Sequence, residues 1–268
     1  MPKLFDCHMH STHSCDATAS FDELCESALK YGLRGICVTD HADFDPIDPG
    51  HKFHDYDAYM ADVDRCRKKY GSRLIIKTGV EVTYQTEFVD DIRRFLSTHK
   101  FDYVLGSVHL IDHVFVLDPK YPEGKTKKEA YEPYWQETLA MVESGLFEHI
   151  GHFDYIKSMR REDYGEFKPE AWMPQITRIL EKIVASDAIL EVNTSALRKN
   201  HLEPYPGWEI LKRYKDLGGT HVVLGSDAHS PYRVALGFKE VAAQLKRLGL
   251  TICEDEIFPR SMISQLAT

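Results

Sequence analysis

The chain has 268 residues, of which 43% are hydrophobic and 28% charged, a balance typical of a folded globular protein that excludes intrinsic disorder. The formal net charge of −9 argues against a nucleic-acid partner, and no hydrophobic run approaches the roughly 18 residues of a membrane-spanning helix. Six scattered cysteines without a CxxC pair favour reduced thiols and a cytoplasmic location.

Short β-branched segments alternate with longer amphipathic segments along the chain. In chain order, the predicted strands are residues 4–8, 35–39, 74–82, 103–109, 148–153, 189–193 and 221–226. The predicted helices are residues 21–31, 57–70, 87–97, 127–144, 169–185, 207–217 and 234–248. Strict alternation of strands and helices predicts an α/β fold with a parallel sheet.

The number of strand–helix pairs favours a single barrel of seven units, which we expect to form one domain over residues 1–268. An open, doubly wound sheet is the alternative. No G-x-G-x-x-G or P-loop motif follows any predicted strand, which weighs against the common nucleotide-binding sheets.

Metal-ligating residue types follow six of the seven predicted strands, at the end where α/β folds collect functional residues. They are His8, His10, His41, Glu81, His109, His152, Asp227 and His229. Two residues spaced i and i+2 on an extended segment, such as His8 and His10, point the same way. Imidazole and carboxylate ligands together suit zinc, iron or manganese. A single histidine at a strand end is more often structural, but the joint pattern predicts a metal site.

In this order, the motifs resemble the polymerase and histidinol phosphatase (PHP) family of metal-dependent phosphoesterases. The matching motifs are His8-x-His10, Ser14-Cys15-Asp16, Thr39-Asp40-His41, Gly79-Val80-Glu81, Ser107-Val108-His109, Gly151-His152 and Ser226-Asp227-Ala228-His229. The resemblance implies a distorted (β/α)7 barrel with a trinuclear metal centre at the C-terminal ends of the strands. It also implies three divalent ions, which would be zinc, iron, manganese or a mixture of these.

The resemblance assigns ligands to each ion. The first ion would take His8, His10, Glu81 and Asp227. The second would share Glu81 and add His109 and His152. The third would take Asp16, His41 and His229.

Two further segments resemble the stand-alone histidinol-phosphatase branch of the family. They are residues 191–199 with 203–206, and residues 151–154 followed by Arg160 and Arg161. This resemblance implies a phosphoric monoester hydrolase of histidine biosynthesis that converts L-histidinol phosphate and water to L-histidinol and phosphate.

Binding of a small phosphate ester requires a cation that matches the phosphate oxygens, and guanidinium does so bidentately. We expect Arg160 and Arg198 to bind the phosphate, with Arg160 also contributing to catalysis. Asp16 and His41 are the candidate proton donors to the leaving group, and a metal-bound water is an equal alternative.

Two other functions stay open at this point. One is a phosphoesterase on the same scaffold that acts on nucleotides or other small phosphate esters. The other is a degenerate metal-binding regulatory module without catalysis. Such a module should have lost ligands, whereas all nine ligand positions here carry metal-competent side chains. The sequence does not set the oligomeric state.

Overall fold

A computed structural model describes residues 4–159, 161–186, 188–199 and 202–253, in which strands and helices alternate. The strands are β1 (Phe5–Asp6), β2 (Gly35–Ala42), β3 (Ile75–Thr83), β4 (Tyr103–Ser107), β5 (Leu110–Ile111), β6 (Val114–Phe115), β7 (His149–Ile150), β8 (Ile189–Asn193), β9 (His221–Gly225) and β10 (Thr251–Ile252). The α-helices are α1 (Phe21–Lys30), α2 (Tyr56–Tyr70), α3 (Val89–Thr98), α4 (Lys127–Glu143), α5 (Arg161–Tyr164), α6 (Met173–Ala185), α7 (Trp208–Asp216) and α8 (Phe238–Leu248). Short 3-10 helices cover Thr86–Phe88, Tyr155–Ser158, Pro169–Trp172, Thr194–Lys199 and Pro231–Arg233.

One eight-stranded parallel sheet organises the molecule, in the order β1-β2-β3-β4-β7-β8-β9-β10. The chain beyond β1 returns to β9: Cys7 N donates to Leu224 O (2.8 Å), Asp227 N to His8 O (2.7 Å) and His10 N to Ala228 O (2.9 Å). These bonds close the sheet into a barrel. Strand β10 pairs with the first two residues of β9. The prediction of an α/β fold with a parallel (β/α) barrel is confirmed.

Alternate residues of the strands pack on opposite sides of the sheet. Residues such as Cys37, Leu105 and Val223 form a small cluster inside the barrel. Their neighbours in sequence, such as Val38 and Val104, belong to the large hydrophobic core that the helices cover. The sheet is therefore buried on both faces, and its rim at the C-terminal ends of the strands is where side chains can meet solvent.

All seven predicted strands are present, and all but β8 have shifted ends. The prediction for residues 103–109 extends past β4, which stops at Ser107 before the β5–β6 hairpin. The helix predicted over residues 234–248 begins only at Phe238, because Ala235 and Gly237 adopt left-handed backbone (φ 55° and 76°) that a helix cannot contain. Among the described residues, none of the helices has the length and apolar character needed to cross a membrane. The single domain over residues 1–268 stays a prediction.

Candidate metal centre

Glu81 lies at the centre of a cluster of imidazoles and carboxylates at the C-terminal end of β3. Its side chain is buried, and its two oxygens face different partners. Oε2 is 3.1 Å from His8 Nε2 and 3.4 Å from both His10 Nε2 and His41 Nδ1. Asp227 Oδ1 completes this side, 3.7 Å from His8 Nε2 and 3.5 Å from His10 Nε2. His8 and His10 are both fully buried, so these distances describe groups shielded from water.

The other oxygen of Glu81 faces the ends of β4 and β7. Oε1 is 3.0 Å from His152 Nε2 and 3.6 Å from His109 Nε2, and it accepts a hydrogen bond of 2.6 Å from Ser107. His109 is held from behind, since its Nδ1 lies 2.8 Å from Thr83 Oγ1. One carboxylate therefore connects two separate sets of histidines.

A third set lies at the solvent side of the centre. His10, His41 and His229 come together there, with the rings of His10 and His41 stacked at 4.4 Å and those of His10 and His229 at 4.2 Å. Asp16, half-exposed on the loop after β1, places Oδ2 at 3.0 Å from His229 Nε2 and 3.8 Å from His41 Nε2. Asp16 thus lies beside this set, at the rim.

Three groups of three side chains have ligand atoms within 4.8 Å of one another, namely His8, His10 and Asp227; Glu81, His109 and His152; and His10, His41 and His229. Two pairs of Nε2 atoms, His8 with His10 and His109 with His152, are only 3.0 Å apart. His41 Nδ1 is buried and finds no hydrogen-bond partner among the residues that the structure describes. Lone pairs directed at one another in a buried site fit divalent cations, which would satisfy all of them at once. The structure thus brings the nine predicted ligands together, while the assignment of ligands to ions stays a prediction.

The electrostatics of the cluster divide its histidines. Burial, together with the nearby His229 and His41, lowers the pKa of His10 to about 3. Burial likewise lowers the pKa of His109 to about 3. For His41 burial is opposed and outweighed by carboxylates, first that of Glu81, which raise its pKa to about 9. The Glu81 carboxyl is held well below its usual pKa by His8 and His41 despite its burial.

Of the two arginines predicted to bind phosphate, Arg160 lies outside the described residues. Arg198, on the segment after β8, donates from Nη1 to Ser226 O (2.8 Å) and from Nη2 to Asp227 O (2.9 Å). Asp227 has left-handed backbone with φ 53°, a conformation that is uncommon outside glycine. Arg198 therefore holds the main chain of Asp227 in place, and with it the position of the Asp227 carboxylate. Within the described part of the chain, these two bonds use two of the five N–H groups of the guanidinium.

Sequence reasoning left one buried acid out of the site. Glu191, in the middle of β8, is fully buried and contacts His8 through a hydrogen bond of 2.7 Å. The signal was present in the sequence, because Glu191 and Asn193 share a strand face and a carboxylate inside a barrel needs partners.

Comparisons with known proteins agree with this geometry. Residues 6–195 match the PHP domain family. The chain is 29% identical over 252 residues to a probable histidinol-phosphatase of Clostridium acetobutylicum, covering 92% of this chain and 94% of the relative. It is 28% identical to the histidinol-phosphatase of Lactococcus lactis, covering 92% of each. It also resembles the crystal structure of a Lactococcus lactis histidinol phosphate phosphatase complexed with zinc, L-histidinol and phosphate (TM-score 0.83, 27% identity, 93% of this chain and 95% of the other).

Proposed function

The chain belongs to the PHP domain family, and from this premise we propose that it is a metal-dependent phosphatase that hydrolyses L-histidinol phosphate to L-histidinol and phosphate. The observation that carries the proposal is the buried cluster around Glu81, three ligand groups at one end of a barrel. It lies on a fold shared with a phosphatase whose structure holds zinc, L-histidinol and phosphate. The reaction gives the enzyme a place in histidine biosynthesis.

We propose three divalent ions, of zinc, iron, manganese or a mixture. The first would bind His8, His10, Glu81 and Asp227, the second Glu81, His109 and His152, and the third Asp16, His41 and His229. Divalent ions in such a site neutralise charge on phosphoryl oxygens and activate water for attack on phosphorus.

The residues of the chain perform the remaining tasks. Ser107 and Thr83 orient Glu81 and His109 by the hydrogen bonds described above, which keeps their ligand atoms directed at the centre. Arg160 and Arg198 bind the phosphate oxygens through N–H groups of their guanidinium groups.

The proton for the leaving oxygen would come from groups at the rim of the metal centre. Asp16 and His41 are the proposed donors, since Asp16 is half-exposed and His41 Nε2 lies 3.8 Å from its Oδ2. Both are also proposed ligands of the third ion, so a water molecule at the rim is an equal alternative as the donor.

We place the enzyme in the cytoplasm. All six cysteines are free thiols in the structure, and five of them are buried. A reducing compartment keeps such thiols from forming unwanted disulfides. The proposed partner is a small phosphate ester, with no nucleic acid, because the net charge of −9 disfavours a polyanion.

A phosphate-release assay with the purified protein tests the function. The panel contains L-histidinol phosphate, the common nucleoside monophosphates and a generic aryl phosphate, each assayed with added Zn²⁺ or Mn²⁺. We expect the highest kcat/KM for L-histidinol phosphate. A higher kcat/KM for a nucleoside monophosphate would assign the chain to a different phosphoesterase, and no hydrolysis of any ester by metal-loaded protein would favour the regulatory module.

A further inference from the structure

Glu191 belongs to none of the three ligand groups, yet it touches two of them. Its Oε1 accepts a hydrogen bond of 2.7 Å from His8 Nδ1, and its Oε2 accepts one of 2.7 Å from the main-chain N–H of His152. His8 belongs to the first ligand group and His152 to the second. A buried carboxylate needs strong hydrogen-bond donors. Glu191 has one donor in each of two ligand groups.

We propose that Glu191 is a positioning residue that fixes the tautomer of His8 and the main chain of His152, and so couples cation binding by the first two ligand groups. The inference rests on the proposed divalent-cation site. It concerns this chain's own hydrogen bonds and assigns Glu191 no contact with substrate.

The tautomer argument starts from the two nitrogens of His8. A proton on Nδ1 that is donated to Glu191 leaves Nε2 with a free lone pair. That lone pair points into the centre, because Nε2 is 3.0 Å from His10 Nε2 and 3.1 Å from Glu81 Oε2. The opposite tautomer would place a proton where the cation must bind. Carboxylates that orient ligand histidines from behind act in this way.

Asn193 supports the orientation of Glu191. Its Oδ1 accepts a hydrogen bond of 2.9 Å from Ser195 N, which turns its Nδ2 toward the carboxylate. Nδ2 then lies 3.4 Å from Oε1 and 3.3 Å from Oε2 of Glu191. The carboxylate is therefore approached by donors from both sides, and a neutral or shorter side chain cannot replace it without loss.

Gly225 provides the space for this contact. Strand β9 lies between β8 and β1, so Glu191 must reach past it to meet His8. A Cβ atom at Gly225 would lie 2.1 Å from Glu191 Oε1 and 2.6 Å from His8 Cβ. Both distances are far inside van der Waals contact, so any other residue here would push the carboxylate and the imidazole apart.

The substitution Glu191→Gln keeps the shape of the side chain but removes one of its two hydrogen-bond acceptors. An amide has one acceptor atom, while His8 Nδ1–H and His152 N–H both need one. If the amide oxygen faces His152, its NH2 faces His8 Nδ1 and forces the proton onto Nε2. If the oxygen faces His8, the NH2 opposes the N–H of His152. Either choice disturbs one ligand group.

The test measures cation binding by the purified full chain. We would titrate metal-free protein with Zn²⁺ in competition with a chromophoric chelator, for wild type, Glu191→Gln and Glu137→Gln. Glu137 is the matched control, because its carboxylate also accepts a main-chain N–H and a hydroxyl, both of Thr86, away from the centre. We expect Glu191→Gln to bind Zn²⁺ roughly 10–100-fold more weakly and Glu137→Gln to bind like wild type.

A second measurement reads the tautomer directly and needs no variant. In zinc-loaded wild type labelled with ¹⁵N-histidine, long-range ¹H–¹⁵N correlation should show the His8 proton on Nδ1. A His8 proton on Nε2, or wild-type zinc affinity in Glu191→Gln, would overturn the inference. If Glu191→Gln fails to fold, the wild-type spectrum and the zinc affinity of Gly225→Ala replace it as the test. Weaker zinc binding by Gly225→Ala supports the inference, and wild-type affinity overturns it. A wild type that binds no divalent cation would instead refute the proposed function, which is a distinct result.

Discussion

At the scale of single residues, Glu81 has the largest expected effect on metal binding, because its two oxygens face different sets of histidines. We predict that Glu81→Ala loses more bound metal than His41→Ala, since the Glu81 carboxylate would bind two of the proposed ions and His41 one. Elemental analysis of both variants after identical dialysis makes the comparison. A full metal complement in Glu81→Ala would show that the bridging role is wrong.

Arg160 is the residue for which the expectation rests on sequence alone. We predict that Arg160→Met lowers kcat/KM for L-histidinol phosphate by roughly 10²–10³, about 2.7–4 kcal/mol for a lost preorganised donor, with metal content unchanged. The neighbouring Arg161→Met serves as the control, and kinetics and elemental analysis use the same preparation. Near wild-type kcat/KM in Arg160→Met would remove this residue from the site.

His149 gives a residue-scale prediction about stability. Its ring stacks on Tyr103 inside the barrel (3.9 Å between centroids), and burial lowers its pKa to about 3. The unfolded chain, with a histidine pKa of about 6.5, therefore takes up the proton first as the pH falls. The contribution of His149 to the free energy of unfolding is therefore fully present above about pH 6.5. It is lost progressively as the pH falls toward 3.

The measurement is urea unfolding of metal-free protein at pH 7 and pH 4.5, for wild type and His149→Phe. At about 1.36 kcal/mol per pH unit, two units below 6.5 correspond to about 2.7 kcal/mol. We expect His149→Phe to lose that much less stability than wild type between the two pH values. An equal loss in both proteins would contradict the prediction.

At the scale of elements, the sequence predicted the long and strongly periodic segments well. Strand β8 was predicted with its observed ends, and α2 and α4 were predicted to within one residue. The two-residue strands β5, β6 and β10 were missed. Strands β5 and β6 pair across a tight turn at Asp112 and His113 with positive φ, and β10 pairs with β9, which is distant in sequence. The metal-type ligands lie at the ends of predicted strands, where functional residues are expected. Glu191 lies in the middle of a strand, so its part in the site was recognised only from its contacts.

The loop after β9 shows how an element supports the site. Asp6 accepts hydrogen bonds from Ser226 N (2.9 Å) and Ala235 N (3.0 Å), while Arg198 donates to the carbonyls of Ser226 and Asp227. The loop is thus held from two sides, and its left-handed residue Asp227 keeps its carboxylate directed at His8 and His10.

We predict that Arg198→Met weakens metal binding roughly 10–100-fold in addition to any loss of phosphate binding, because the Asp227 backbone is released. Arg198→Lys should recover little, since one ammonium group does not reproduce a planar fork across two carbonyls. Arg213→Met, which removes a surface arginine bonded to Thr177, is the control. If Arg198→Met keeps full metal affinity and changes only the kinetics, Arg198 acts on substrate alone.

At the scale of the whole molecule, the barrel rim combines nine predicted ligands that lie on or after six strands of the sheet, so the activity should depend entirely on bound metal. We predict that prolonged chelation abolishes phosphate release and that Mn²⁺ or Zn²⁺ restores part of it. Circular dichroism before and after chelation checks that the fold survives the treatment. Full activity after verified metal removal would refute metal dependence.

The return of the chain from β9 to the segment after β1 has a consequence for how the protein is made. Asp16 and His229 are 213 positions apart, yet they meet at the rim. At about 5–20 residues per second, a ribosome takes roughly 10–40 seconds to synthesise the chain between them. Throughout that interval the nascent chain carries His8, His10 and Asp16 without the residues that complete their ligand groups. The first and third ligand groups are therefore complete only in the last steps of synthesis, whereas the second, of Glu81, His109 and His152, needs no residue beyond position 152.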